Sequence, residues 1–173
     1  KAGVRCVGIP KTMDNDVPGT DYCIGFSTCV TRTIEFTHQL RTCAGSHERI
    51  MVIEVMGRYA GYTALVPAMA GASDRCVIPE HEFDIERLTE LLVKDRHDNE
   101  SNYSVVLISE GAMFKGANMI FSNQQVDAYG HKKLGGIGDM VCKEIVKRTG
   151  MFNKGESINT INQRMSYLTR SGQ

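Results

Sequence analysis

The sequence lacks the features of several common functional classes. Its formal net charge is zero, from 20 basic and 20 acidic residues, so its charge favours neither nucleic acid nor an anionic membrane as a partner. No apolar run approaches the roughly 20 residues that a membrane-spanning helix needs. The first residues, KAGVRCVGIP, have the pattern of neither a signal peptide nor a transit peptide. We therefore expect a cytoplasmic protein with no nucleic-acid or membrane partner.

The cysteines and histidines lack the spacing of a metal site. The six cysteines are scattered without a CxxC pair or a Cys/His zinc pattern, and the five histidines are equally dispersed. Most of the cysteines lie in apolar segments, where a free thiol acts as a small hydrophobic side chain. The pattern predicts reduced thiols, as in the cytosol, with disulfide bonds as the alternative.

The overall composition is that of an ordinary globular protein. Of 173 residues, 42% are hydrophobic and 23% are charged, which suits one domain or one lobe of a larger enzyme. The chain opens on an apolar segment that looks like a buried strand, and it stops within LTRSGQ, which looks like the middle of a motif. We therefore expect a fragment of a longer protein.

Apolar segments of strand length alternate with segments of helical periodicity. Apolar runs predict strands at 4–9, 50–55, 76–78 and 103–109. Helical spacing predicts helices over 27–44, 59–72, 83–93 and 133–148, with Gly150 as the stop of the last one. The segment 112–130 is polar and irregular. The alternation predicts an α/β fold with a parallel, doubly wound, Rossmann-like sheet.

Polar residues follow three of these predicted strands, where parallel sheets carry their chemistry. The loop after 4–9 contains Lys11, Thr12, Met13, Asp14, Asn15 and Asp16. A phosphoryl-transfer site needs a carboxylate that takes the proton of the attacking hydroxyl, a carboxylate that helps to hold Mg²⁺, and cations that neutralise charge. Asp14, Asp16 and Lys11 fit these roles. The same residues also fit a turn in which the Asp and Asn side chains bond their own backbone.

The other candidate loops are equally open to two interpretations. Gly57 and Arg58, between a strand and a helix, suit an anion or a plain turn with a solvated arginine. Glu110 suits sugar hydroxyls or a helix cap. Arg49 precedes the strand at 50–55, so it lies at the opposite end of the sheet and is either a surface arginine or one that serves a neighbouring subunit. Arg170 is ambiguous alone.

Four segments taken together resemble the phosphofructokinase family. They are GIPKTMDNDVPGTDYCIGFSTCVTR, GSHERIMVIEVMGRYAGYTA, ISEG and YLTRSG, in the family's order over nearly the whole chain. The resemblance implies the phosphofructokinase fold, Mg²⁺ as cofactor, and phosphoryl transfer to the 1-hydroxyl of fructose 6-phosphate, giving fructose 1,6-bisphosphate in glycolysis. It also implies that the chain is mostly the smaller, sugar-phosphate-binding lobe. The loop 10–16 and the tail from about 165 to 173 would belong to or lead into the larger lobe.

The resemblance also implies residue roles. Asp14 would be the general base, assisted in catalysis by Lys11, Thr12 and Arg58, while Asp16 would assist the Mg²⁺ arrangement. The substrate-binding residues that it implies are Thr12, Met13, Asp14, Arg49, Met56, Gly57, Arg58, Glu110, Tyr167, Leu168, Thr169 and Arg170. Within this set, Glu110 would bind sugar hydroxyls, and Tyr167 and Arg170 would hold the 6-phosphate. Arg49 would reach the 6-phosphate of a neighbouring subunit, which implies a homo-oligomer. The family's other 6-phosphate arginine has no secure counterpart in this sequence. Arg164 is the nearest candidate, but it lies too close to Arg170.

The phosphoryl donor is indicated by Lys11. ATP-dependent bacterial members usually carry glycine there, and pyrophosphate-dependent members carry lysine. The wider block CVIPEHEFD, SNYSVVLISEGA and DAYGHKK also resembles the pyrophosphate-using bacterial branch. The resemblance favours pyrophosphate, in a reversible reaction, with ATP as the alternative. A non-catalytic sugar-phosphate-binding lobe is the alternative of another class. We expect the isolated chain to turn over poorly, because the glycine-rich phosphate loop and the GGD-type donor motif would lie before Lys1.

Overall fold

The computed structural model of the chain describes residues 3–117, 121–126, 132–152 and 157–170. In chain order they form α1 (Phe26–Ser46), β1 (Ile50–Val55), α2 (Tyr62–Met69), β2 (Arg75–Val77), α3 (Ile85–Asp98), β3 (Ser104–Ser109), β4 (Phe121–Val126), β5 (Lys132–Leu134), α4 (Ile137–Phe152) and β6 (Thr160–Arg164), followed by a 3₁₀ turn at Ser166–Arg170. Most elements lie within a few residues of their predicted positions.

The main sheet has four parallel strands in the order β2-β3-β1-β6. The two central strands, β1 and β3, are buried along their whole length, which explains why both read as continuous apolar runs. Helices cover both faces of the sheet. The prediction of an α/β fold with a parallel sheet is therefore confirmed.

Alternate residues of the central strands divide the core between these two faces. Ile50 and Val52 of β1 pack with side chains of α3 and α4, whereas Met51 and Ile53 pack on the other face with Ala44 of α1 and side chains of α2. Each helix therefore buries its apolar stripe against one side of the sheet. None of the helices in the described ranges has both the length and the apolarity needed to cross a membrane.

The segment 4–9 is not the buried strand that its apolar sequence predicts. It forms no strand or helix, and its apolar side chains are exposed, with Val7 at 92% and Val4 at 74%. An apolar run becomes a buried strand only where neighbours pair with it and cover it. Within the described residues, no strand pairs with this segment, so its burial was wrongly predicted.

The second half of the chain departs from prediction in three places. The segment predicted to be irregular contains β4, which pairs with β5 in an antiparallel hairpin. The last helix begins at Ile137 rather than at 133, because Gly135 and Gly136 have positive φ angles of 125° and 94° that a helix does not tolerate. Gly150 does not stop this helix, which continues to Phe152. The tail, which the sequence left unplaced, adds β6 beside β1.

The loops after β1 and β3 are joined by backbone hydrogen bonds at the carboxyl end of the sheet. Glu110 N–H donates to Val55 O at 2.8 Å, and Gly111 N–H donates to Gly57 O at 3.1 Å. The approach is close enough that a Cβ atom on Gly111 would lie 1.9 Å from the carbonyl oxygen of Arg58. Only glycine fits at this position without moving one of the two loops.

We predict that Gly111→Ala lowers the free energy of unfolding by about 2–4 kcal/mol, because the clash is with backbone that cannot rotate away. Urea denaturation of the purified protein measures the change. Gly8→Ala is the matched control, since a Cβ there meets nothing within 4 Å. Equal stability of the two variants would contradict the close approach.

Candidate active site at the carboxyl end of the sheet

The loop that carries the two aspartates is held in shape by Asn15. This residue has a positive φ of 54°. Its side-chain amide donates to Asp21 O at 3.0 Å, and its side-chain oxygen accepts from Cys23 N–H at 2.8 Å. The hydroxyl of Thr12 accepts from Asp14 N–H at 3.3 Å. The turn interpretation of this loop thus applies to Asn15.

Asp14 is the strongly perturbed acid of the loop. Its side chain is half-buried, and burial raises the pKa of the carboxyl from its ordinary value of 3.8 to about 6. The negative charge of Asp16 also raises this pKa, while the nearby charges of Arg170 and Arg58 lower it. The carboxyl therefore titrates near neutral pH. Two arginines from different parts of the chain act on its charge.

Glu110 shares this electrostatic environment. Burial raises the pKa of its carboxyl, Arg164 lowers it, and the negative charges of Asp14 and Glu54 raise it again. Arg58 also lowers it. The distance from Arg164 Nη2 to Glu110 Oε2 is 3.9 Å. The mutual influence of Asp14 and Glu110 shows that the loop after 4–9 and the loop after β3 face the same region.

The 3₁₀ turn at Ser166–Arg170 brings Arg170 to Asp14. Met165 N–H donates to Glu54 O at 2.9 Å, which carries the β1–β6 pairing into the turn. Thr169 is buried, and its hydroxyl donates to Ser166 O at 3.2 Å. The Arg170 guanidinium carbon lies 5.7 Å from the centre of the Tyr167 ring, within cation–π range.

The turn after β1 is equally tight. Gly57 has a φ of 133°, and a Cβ there would lie 2.8 Å from Ala60 O and 2.9 Å from the hydroxyl of Thr63. Thr63 in turn donates its hydroxyl hydrogen to Met56 O. This geometry places the half-buried Arg58 beside both Asp14 and Glu110.

The remaining predicted site residues fall into three groups. Lys11, Asp16, Tyr167 and Leu168 are exposed, and Thr12 and Met56 are half-buried. Met13 and Thr169 are 4% and 0% exposed, so their side chains are packed inside the protein rather than open to a ligand. Arg49 precedes the first residue of β1 and is therefore at the other end of the strand, about 20 Å from the Gly57 turn. The structure does not bring it to this site.

Glu54 was missed by the sequence reasoning, which considered Arg164 only as a candidate 6-phosphate arginine. Glu54, in β1, is buried, and Arg164, in β6, pairs with it across the sheet. Arg164 was judged only by its spacing from Arg170, and that spacing carries no information about its pairing with Glu54. A glutamate inside the apolar run IMVIEV was the available signal, because an isolated charge is seldom buried without a partner.

Asp14 and Asp16 are suited to a magnesium ion that takes most of its ligands from phosphate groups and water. Across the described ranges, no group of three or more His, Cys, Asp or Glu side chains is placed to bind a metal. Asp14 and Asp16 lie close enough for each to affect the other electrostatically. One or two carboxylates completed by phosphate oxygens and water are a usual environment for Mg²⁺.

All six cysteines are free thiols, as predicted.

A family model described as phosphofructokinase matches residues 1–173. The chain belongs to the phosphofructokinase family. Among solved structures, the pyrophosphate-dependent phosphofructokinase of Marinobacter aquaeolei is similar to it, with a TM-score of 0.72, 26% identity, and coverage of 96% of this chain and 38% of that one. The doubly wound fold is thus that of the phosphofructokinases.

Curated members of the phosphofructokinase family carry two kinds of name. The pyrophosphate–fructose 6-phosphate 1-phosphotransferase of Streptomyces coelicolor is 43% identical over 148 residues, which are 86% of this chain and 43% of the relative. The ATP-dependent 6-phosphofructokinase of Corynebacterium efficiens is 40% identical over 148 residues, 86% of this chain and 42% of the relative. The chain thus spans less than half the length of the relatives it matches.

We predict that Asp14 makes stability depend on pH between about 4 and 6. In this window the folded protein holds a proton on Asp14 that the unfolded chain releases, so the free energy of unfolding falls as the pH rises through about 6. In Asp14→Asn this dependence is absent. The unfolding free energy of the wild type minus that of Asp14→Asn therefore decreases as the pH rises from about 4 to about 6. Above that pH the difference is constant.

Urea denaturation of the protein at a series of pH values measures this difference. Asp21→Asn removes an exposed carboxylate from the same loop and is the matched control. The same pH dependence in both variants would contradict a buried, perturbed Asp14.

Proposed function

We propose that the protein to which this chain belongs transfers a phosphoryl group from pyrophosphate to the 1-hydroxyl of fructose 6-phosphate. The observation that carries the proposal is the position of Asp14. Its carboxyl, with a pKa of about 6, lies close enough to Arg58 and Arg170 for their charges to lower that pKa, and its own charge acts on Glu110. A general base is most effective when its pKa is near the working pH, and a transferring phosphoryl group needs cations around it.

In the proposed reaction, Asp14 accepts the proton of the 1-hydroxyl. The hydroxyl oxygen then forms a bond to one phosphorus of pyrophosphate, the bridging P–O bond breaks, and phosphate leaves with the bonding electrons. Arg58, which lies close to Asp14, stabilises the charge on the transferring group. In the proposed reverse reaction, a phosphate oxygen attacks the 1-phosphoryl group, the bond from phosphorus to the sugar oxygen breaks, and that oxygen takes back the proton from Asp14.

The other charged groups orient the two substrates. Glu110 accepts hydrogen bonds from sugar hydroxyls, while Arg170 and Tyr167, which lie together on the 3₁₀ turn, hold the 6-phosphate. Asp16, which is exposed beside Asp14, would help to hold a Mg²⁺ ion, and that ion would supply positive charge to neutralise the phosphoryl donor.

Arg49 supports a homo-oligomeric enzyme. Its Nε atom is buried and has no hydrogen-bond partner within the described residues. It lies at the end of β1 that is remote from Asp14, so it does not serve this chain's own site. We propose that it binds the 6-phosphate in the site of a neighbouring subunit.

Pyrophosphate and ATP remain the two candidate donors. Lys11, exposed at the start of the aspartate loop, supplies a cation for the departing phosphate and supports pyrophosphate. The relative from Corynebacterium efficiens, named as ATP-dependent, supports ATP at a similar identity. We favour pyrophosphate because of Lys11.

The direct test is phosphoryl transfer to fructose 6-phosphate by the full-length protein, with pyrophosphate or ATP as donor. We expect turnover with pyrophosphate, and a loss of about 10²–10⁴-fold in kcat in Asp14→Asn, since the general base is removed. Asp21→Asn, on the exposed part of the loop, should retain wild-type turnover.

Each other outcome identifies the step that fails. Turnover with ATP alone would retain the acceptor chemistry and contradict the role given to Lys11. Full activity of Asp14→Asn would contradict Asp14 as base. No turnover with either donor would reject the proposed reaction and favour a sugar-phosphate-binding lobe without catalysis.

A further inference from the structure

A buried carboxylate lies next to the active site without being part of the proposed chemistry. The side chain of Glu54, in β1, is 1% exposed. Its oxygens accept hydrogen bonds from the backbone N–H groups of Gly136, at 3.2 Å, and Gly138, at 2.9 Å, at the start of α4. Its Oε1 atom lies 2.9 Å from Arg164 Nε. The positive end of a helix and an arginine together compensate for the buried charge.

Arg164 connects this carboxylate to the site. It lies directly opposite Glu54 in the parallel pairing of β1 with β6. With Nε directed at Glu54, its Nη2 atom lies 3.9 Å from Glu110 Oε2. Gly135 closes the space behind it, because a Cβ atom there would lie 1.6 Å from Nη2. The guanidinium is thus confined between two carboxylates.

Stability alone is a weak reason for this arrangement. Burying an ion pair costs about as much in desolvation as it returns, and apolar residues of similar size often do as well or better. The neighbours of Glu54 on the same face of β1 are the apolar Ile50 and Val52. A leucine at position 54 would continue that pattern. The carboxylate therefore requires another explanation.

We propose that Glu54 is a positioning residue, which through Arg164 fixes the orientation of the Glu110 carboxylate in the active site. The inference rests on the proposed function in one respect, namely that Glu110 accepts hydrogen bonds from the sugar. A carboxylate on a loop turns freely about its side-chain bonds and loses that freedom on binding a ligand. The Arg164 guanidinium is already held in place by Glu54, whose carboxylate is in turn held by the N–H groups of Gly136 and Gly138, so this cost is removed in advance.

The charges around Glu110 support the same assignment. The charged groups that act on it are Arg164, Asp14, Glu54 and Arg58. Burial raises the pKa of the Glu110 carboxyl, and Arg164 is the main group that lowers it. The arginine therefore favours the ionised form of Glu110, which offers all its lone pairs to sugar hydroxyls.

The kinetic test compares full-length wild type with Glu54→Gln and Arg164→Lys. Glutamine keeps the size of the side chain but not the charge that holds Arg164, and lysine keeps the positive charge but not the fork that reaches two carboxylates. In both variants we expect KM for fructose 6-phosphate to rise about tenfold while kcat changes by less than about threefold, because ground-state and transition-state binding are lost together.

Arg75→Met is the matched control. Arg75, at the start of β2, forms a bidentate pair with Asp95 of α3, with distances of 2.6 Å and 2.7 Å, on the edge strand that lies farthest from β6. Its loss removes a strand-to-helix ion pair without touching the site, so stability falls and KM does not change. A Glu54→Gln variant that loses stability and keeps the wild-type KM would reduce Glu54 to a structural residue and overturn the proposal.

Crystal structures of the same full-length proteins without substrate separate this inference from the proposed function. We expect the Glu110 carboxylate to move or to adopt several conformations in Glu54→Gln, and to remain single and unmoved in Arg75→Met. If the wild type turns over no fructose 6-phosphate, the proposed function fails, and these structures still decide the positioning role. An unchanged Glu110 in Glu54→Gln would overturn it.

Discussion

The parallel pairing of β1 with both β3 and β6 is the constraint on which the rest of the structure depends. Its register sets Val55 opposite Ser109 and Glu54 opposite Arg164, so that the chain leaves three neighbouring strands at the same level. Arg58, Glu110 and Arg170 follow those strands directly. Residues more than a hundred positions apart in the sequence thus lie around one region because three parallel strands end together.

The acidic side chains at this edge of the sheet lower the stability of the fold, because burial raises their pKa values. Asp14 and Glu110 are half-buried acids whose pKa values are raised by burial, and three arginines reduce that cost without removing it. Buried acids with raised pKa values beside arginines are characteristic of functional sites. The buried pair of Glu54 and Arg164 anchors this arrangement, because the Glu54 carboxylate is itself held by backbone N–H groups of α4 that cannot rotate away.

The sequence was sufficient where a local pattern decided the structure. The apolar runs of β1 and β3 and the loops after them were predictable, because strands covered on both faces must be apolar and their ends must turn. The exposed 4–9 segment was not, because coverage depends on neighbours that no local pattern reveals. The roles of Glu54 and Arg164 depend on the register between strands far apart in sequence and on where α4 begins. Asp14 was predictable as a candidate, but its half-burial and its two arginines were not.

A crystal structure of the full-length protein with fructose 6-phosphate tests the central claim most directly. The account predicts that the sugar phosphate binds at the carboxyl end of β1 and β3, with its 1-hydroxyl about 2.6–3.2 Å from an Asp14 oxygen, the distance of a proton transfer. Its other hydroxyls should contact Glu110, and its 6-phosphate should contact Arg170. A sugar phosphate bound elsewhere, or bound here with its 1-hydroxyl directed away from Asp14, would contradict the account.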